Sequence, residues 1–336
     1  MARAGSLRIS YFATNGNWFA LNCQYPALAL NARELMRQWP SGIIARKINL
    51  EKVCLAPHRQ TWVRVMLKVL GRFAVVMAHP DDEILWASSL LSPAEKLVLC
   101  FGPTEAPEMG PARREAIARL PVHDIAFLDI PEAGVFDHGR WPYPVATDYG
   151  LALKRSAGHW ALVRRYQENF LTLAEKIGPL IEGFDTIVTH NPWGEYGHEE
   201  HVQVFRVVST LAARLGKPVL VTSYVSEKAS AYMRTWLPRL QPVTPPLPTD
   251  RARAEAFRTI YRETGCWTWQ PGYQWPGHEC FYRVLGDDER RSGGTALPVN
   301  FIDDAFFSIP PSSERARLWL HAKARGIARR IGMKRD

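Results

Sequence analysis

The sequence predicts an α/β fold: a doubly wound, three-layer α/β/α domain on a mostly parallel sheet, with an N-terminal extension and an irregular C-terminal elaboration. Three observations carry this reading. From Phe73 onward, short apolar runs of strand length alternate with helical segments, as expected for parallel strands joined by right-handed crossovers. Several of these runs stop at proline-containing polar turns, His79-Pro80 and His190-Asn191-Pro192 among them, where proline cannot continue a central strand. Finally, 336 residues that are 46% hydrophobic can bury a full core.

In chain order, residues 1 to 70 are an extension with a strand over Leu7–Phe12 and helices over Ala32–Gln38 and Trp62–Leu70. The core domain runs over 71–225. It opens with the strand Phe73–Ala78 and a helix over Ile84–Leu91. Strands follow at Lys96–Phe101, Ile125–Ile130, Thr186–Thr189 and Val219–Tyr224. Between them, helices are expected over Pro111–Leu120, where proline suits the first turn, and over His159–Ile181 and Val202–Leu215. The loop Glu132–Tyr149, with Gly134, Asp137, His138, Trp141 and Tyr143, suits the wall of a site.

Residues 226–312 read as an elaboration that completes the sheet and the pocket. Leu237–Thr249 is a Pro-rich linker and Arg251–Arg262 an amphipathic helix. Trp267, Trp269, Tyr273 and Trp275 then sit among prolines and glycines, either to stack on sugar rings or bases or to pack as a cap. The tail 313–336 carries eight Lys or Arg against one Glu over Ser313–Arg335. Leu320, Ala324, Ile327 and Ile331 share one face there, which makes a basic amphipathic helix. It either packs on its own domain or makes peripheral contact with an anionic membrane.

Composition narrows the functional classes. Charged residues at 22% and aromatics at 11% are ordinary for a globular protein. The net charge of +9 suits an anionic partner, while no nucleic-acid-binding module is present, so none is expected. The five cysteines are scattered without a CxxC pair, which argues against a disulfide framework or a thiolate zinc cluster. With no apolar leader and no run of about eighteen apolar residues, the chain reads as cytoplasmic. Nothing in it signals an oligomeric state.

The chemistry concentrates in two stretches. The first strand ends in Ala78-His79-Pro80-Asp81-Asp82-Glu83, and the strand Thr186–Thr189 ends in a loop leading to Tyr196-Gly197-His198-Glu199-Glu200-His201. Both lie past the carboxyl ends of strands and therefore face one crevice. Three acids and an imidazole within five residues call for a positive charge among them, and a divalent metal supplies it. A helix starting near His198 puts His198 and His201 one turn apart on a common face. A hydrolytic zinc needs three N or O ligands and an open position. His79, Asp82 and a histidine of the second cluster provide them, leaving Asp81 as a general base. On position alone, Glu83 caps its helix, Glu195, Glu199 and Glu200 are exposed, and His190 either borders the site or satisfies the backbone.

AHPDDE at Ala78–Glu83 together with YGHEEH at Tyr196–His201 resembles the LmbE-like, or GlcNAc-phosphatidylinositol de-N-acetylase (PIG-L), family of zinc-dependent sugar N-deacetylases. The resemblance covers about residues 72–224 and implies a Rossmann-like fold binding one Zn²⁺ per chain. It further implies His79, Asp82 and His201 as metal ligands, Asp81 as base, and His198 and Tyr196 as oxyanion-stabilising residues. The substrate it implies is an N-acetylated sugar or glycoconjugate, phosphate- or lipid-bearing in some cases. Glu132 stands where many members have a sugar-contacting aspartate. Arg114, Trp193 and Trp269 complete the expected substrate contacts. The second motif departs from the common HPDH at Glu199-Glu200. A metal-dependent phosphohydrolase, or a membrane- or anion-binding protein on a vestigial metal fold, are the alternatives.

Overall fold

The computed structural model describes residues 10–14, 17–21, 70–154, 160–270, 272–286, 288–289 and 297–303. The chain divides into two units, 1–62 and 63–336. In the first, Ser10–Thr14 and Asn17–Leu21 pair as an antiparallel hairpin, a few residues later than the strand expected over Leu7–Phe12. The helices expected at Ala32–Gln38 and Trp62–Leu70, Leu70 apart, and the basic tail lie outside the described residues.

The second unit is built on a seven-stranded sheet. Its strands are β1 Phe73–Met77, β2 Lys96–Phe101, β3 Ile125–Ile130, β4 Thr186–Thr189, β5 Val219–Thr222, β6 Leu240–Pro242 and β7 Phe281–Val284. The spatial order is β6-β7-β5-β4-β1-β2-β3. Neighbours from β5 to β3 are parallel, and β7 pairs antiparallel with both β5 and β6. The mostly parallel α/β expectation is met. One correction concerns the presumed linker 237–249, which contributes the edge strand β6. An edge is where a sheet tolerates Pro242, whose missing N–H costs no ladder bond.

The helices are α1 Asp82–Trp86, α2 Met109–Arg119, α3 Trp160–Ile181, α4 Glu199–Leu215, α5 Glu227–Trp236 and α6 Arg251–Thr264. Alternation along β1 sends Ala74 and Val76 to one face, against Leu173, Ile177 and Ile181 of α3 and Val204 and Val208 of α4. Phe73, Val75 and Met77 face the other side, against Ile84, Ala116 of α2, and Ala254, Phe257 and Tyr261 of α6. Burial on both faces is what makes these strands continuous apolar runs.

The single helix expected over Ile84–Leu91 is broken at Ala87 (φ −143°) into α1 and a short turn, Ser88–Leu91. The break lets the Ser88 hydroxyl and the Ser89 amide donate to buried Glu279, at 3.1 and 2.7 Å. Among the described residues, no helix is long and apolar enough to cross a membrane.

The chain winds from β1 outward through β2 and β3, then crosses back to β4 and β5 on the other side. The winding therefore reverses between β1 and β4. Their carboxyl ends open a crevice at that reversal, the place where open α/β sheets bind ligands. Ile187, on β4 and fully buried, supports that edge. Ile187→Ala should cost about 2–5 kcal/mol by leaving a cavity, read as a lower urea midpoint at unchanged slope.

Candidate metal centre

The β1 end turns sharply. The Asp82 amide donates to the His79 carbonyl at 3.2 Å, and Asp81 takes φ 107°. Such a backbone costs on the order of 1–3 kcal/mol and points to an imposed geometry. The turn folds Asp82 back on His79: Asp82 Oδ2 accepts from the His79 amide at 2.7 Å and lies 3.1 Å from its Nδ1. Trp86 Nε1 donates to the other Asp82 oxygen at 2.8 Å.

From the β4 side, His201 Nε2 reaches 3.3 Å from Asp82 Oδ2 and 3.3 Å from His79 Nδ1. Three atoms from two distant segments thus form a near-equilateral triangle. For metal–ligand distances of about 2.0–2.1 Å, a tetrahedron has edges of about 3.3–3.4 Å. The N₂O donor set and its spacing fit a zinc-sized ion.

His198 caps α4, its Nδ1 accepting from the Glu200 amide at 3.2 Å, and its ring stacks on His201 with centroids 4.5 Å apart. Helix α4 begins where the sequence places it, and the two histidines share a face. Tyr196 is buried in the irregular turn Gly194–Gly197, its ring 5.4 Å from that of His201.

The acids depart most from expectation. Glu195, Glu199 and Glu200 are buried, not exposed. Glu200 accepts from the Ala133 amide at 2.6 Å, and its other oxygen lies 3.1 Å from His79 Nε2. Glu199 accepts from the Gly139 amide and Trp141 Nε1 at 2.5 and 3.0 Å, which pins the 132–149 loop to α4. Glu195 lies between His190 and His201. Glu83 does more than begin a helix, accepting from the Asp81 amide at 3.0 Å and from Tyr261 of α6 at 2.6 Å. His190 satisfies backbone, with Nε2 accepting the Ala78 amide at 2.8 Å.

The expected substrate contacts divide. Glu132 faces the cluster, 3.6 Å from His79 Nε2. Its partner is Arg113, which is 3% exposed and donates to it at 2.6 Å. Arg114 points outward to Asp129, so the arginine at the site is Arg113; no local pattern distinguishes two successive arginines on a short helix. Trp193 lies in the core, fully buried with its N–H on the Tyr224 carbonyl, and offers no face to a ligand. Trp269 neighbours Tyr196 with centroids 5.0 Å apart but is buried edge-on to Trp86, forming wall and not platform. The Trp-rich segment is therefore a packed cap: Trp275 is buried too, and Thr268 reaches in to donate to Asp81 Oδ2 at 2.9 Å. Thr268 and Tyr261 carry no motif that the sequence could have flagged, and Glu83, the last residue of AHPDDE, reads there only as a helix cap.

Electrostatics follow from this crowding. Burial opposes a charge on His79, but Glu132, Asp82 and Glu200 outweigh it and lift the pKa to about 10. Burial lifts Asp81 to about 7, helped by Asp82 and opposed by Arg113. Glu83 rises to about 8 by burial, against the Tyr261 hydrogen bond. Burial also works against Asp82, yet its imidazole neighbours, His201 first, hold it well below the usual carboxylate range. Burial, with the His201 and His79 imidazoles alongside, keeps His198 neutral, its pKa well below 6.5.

A buried donor triangle with an adjacent carboxyl of raised pKa, at the carboxyl edge of an α/β sheet, has the chemistry that a hydrolytic metal ion would need. Residues 74–212 match the profile of the GlcNAc-PI de-N-acetylase (PIG-L) family. No curated protein sequence matches the chain. Among solved structures, it is similar to a zinc-inhibited form of teicoplanin deacetylase, at 14% identity and a TM-score of 0.41, covering 65% of this chain and 100% of that one. It is also similar to the N,N'-diacetylchitobiose deacetylase of Pyrococcus horikoshii, at 12% identity and a TM-score of 0.37, covering 70% of this chain and 94% of that one.

His79, Asp81 and Glu83 all bind protons more tightly folded than unfolded when no ion is present. Their stabilisation is complete at low pH and is lost as pH rises through about 10 for His79, 7 for Asp81 and 8 for Glu83. Chelator-treated protein should therefore melt at progressively lower temperature from pH 6 to pH 9. Added Zn²⁺ should raise the melting temperature most at the upper end, where it no longer competes with the His79 proton.

Proposed function

We propose that the protein is a zinc-dependent amide hydrolase that removes the acetyl group from an N-acetylated amino sugar or glycoconjugate, releasing acetate and a free amine. The observation that carries this reading is the convergence of His79 Nδ1, Asp82 Oδ2 and His201 Nε2 to within 3.3 Å, beside Asp81 and inside the family-matched segment. The family name supplies the reaction class, de-N-acetylation of an acetylated glucosamine.

His79, Asp82 and His201 would hold the ion, whose chemistry when bound is to polarise a carbonyl and acidify water. His79 serves in its neutral form, with Nε2–H donated to Glu200 and the Nδ1 lone pair facing Asp82 and His201. Asp81 accepts the proton of the water that attacks the acetamide carbon, and its Thr268 hydrogen bond orients it. His198 is neutral and its Nδ1 is occupied by the Glu200 amide, so its proton sits on Nε2, ready to donate to the developing oxyanion together with the Tyr196 hydroxyl. As the C–N bond breaks, the proton held by Asp81 passes to the amine. Arg113 and Glu132 offer a charged pair at the mouth for sugar hydroxyls.

Acetate release from a panel of N-acetylated sugars, with and without chelator, tests the activity. Asp81→Ala should retain zinc by metal analysis while kcat falls about 10²–10⁴-fold. His201→Ala should lose the metal itself. Full activity in Asp81→Ala, or in zinc-free protein, would refute this mechanism.

A further inference from the structure

We infer that Glu195 is a positioning residue for the metal centre: its carboxylate fixes the tautomers of His201 and His190 together and so couples the two segments that carry the ligands. The inference rests on the ligand assignment above and adds to it a residue outside the ligand set.

Glu195 sits in the turn between β4 and α4 at φ 51°, a conformation that side-chain-bearing residues other than Asn and Asp rarely take, with Gly194 (φ 65°) before it and Gly197 (φ 85°) after. Its carboxylate is fully buried. Oε1 accepts the Asn191 amide at 3.1 Å and the Thr222 hydroxyl. Oε2 lies 3.0 Å from His190 Nδ1 and 2.8 Å from His201 Nδ1. The Glu195 amide donates in turn to Asn191 Oδ1 at 2.9 Å.

An ionised carboxylate only accepts, so both imidazoles must carry their proton on Nδ1. For His201 this leaves Nε2 as a lone pair, and Nε2 is the atom in the ligand triangle. For His190 it also leaves Nε2 as a lone pair, which is occupied by the Ala78 amide at 2.8 Å. Ala78 immediately precedes His79, so one carboxylate sets a ligand on the β4 side directly and braces the backbone of the β1 side through a single imidazole. His190 stacks on His201 with centroids 3.9 Å apart, which closes the unit. A buried carboxylate on the far nitrogen of a ligating histidine fixes ring orientation and raises basicity, and removing it typically weakens metal binding about 10–100-fold.

The test uses the full chain. Long-range ¹H–¹⁵N correlation spectra of the wild type should show His190 and His201 as Nδ1–H tautomers both without metal and with Zn²⁺. Chelator competition with Zn²⁺ should then give a dissociation constant about 10–100-fold higher for Glu195→Gln, whose uncharged amide can turn its oxygen to the two rings only by setting its NH₂ against the Asn191 amide, with Glu195→Asp between the two. An Nε2–H tautomer at His201 in the wild type, or wild-type affinity in folded Glu195→Gln, overturns the inference. The tautomer reading needs no variant and so stands if Glu195→Gln fails to fold. His201→Ala that keeps wild-type zinc affinity would instead sink the ligand assignment, which separates the two failures.

Discussion

Burying carboxyl groups without releasing their charge is the constraint around which this crevice is built. Asp81, Asp82, Glu83, Glu195, Glu199 and Glu200 are all nearly inaccessible, and an isolated buried carboxylate is far too costly to persist. The structure answers with donors. Backbone amides of Ala133, Asp137, Gly139, Asn191, His79 and Asp81 point at them, as do the hydroxyls of Thr222, Tyr261 and Thr268. A loop, a strand end and a distant helix are thereby drawn to one place. Polar networks of this kind specify one arrangement only when every member is satisfied.

The surrounding elements follow from that requirement. The 132–149 loop is held by Glu199 and Glu200, and it carries Glu132 into reach of His79. Helix α6 and the aromatic cap reach Glu83 and Asp81 through Tyr261 and Thr268. Residues beyond 212, past the end of the family match, therefore take part in positioning Asp81. The cap also packs Trp269 and Trp275 against the α1 region, which limits water at Asp81 and is one reason burial dominates its pKa.

The fold was readable because its signals are local. Apolar runs buried on both faces stand out in β1, β2 and β4, and so do the polar turns that end β1 and β4. The convergence of His79, Asp82 and His201 was readable for the same reason, since His79 and Asp82 share one turn, His201 lies on a helix whose start His198 announces, and the strand order brings the two together. Contacts between distant segments were not readable. Glu195, Glu199 and Glu200 look like the exposed first turn of a helix until the loop that covers them is in place. The choice between Arg113 and Arg114 turns on helix rotation, which a short segment with little amphipathic character does not fix. Trp193 and Trp269 are buried, since aromatic residues near a motif pack into a core as readily as they line a pocket.

The balance of charge makes the case for a cation from another direction. Ionised, the acids of the crevice far outweigh the Arg113 guanidinium, and without a metal the deficit is met by protons held on His79, Asp81 and Glu83 at pH values where such groups would otherwise lose them. A divalent ion in the triangle would do the same work electrostatically. It would let His79 give up its Nδ1 proton and let Asp81 ionise, the states that ligation and base catalysis require. Burial of the acids and readiness for catalysis are then two consequences of one arrangement. The donors that make the acids tolerable are mostly uncharged amides and hydroxyls, and so they leave the cluster short of positive charge.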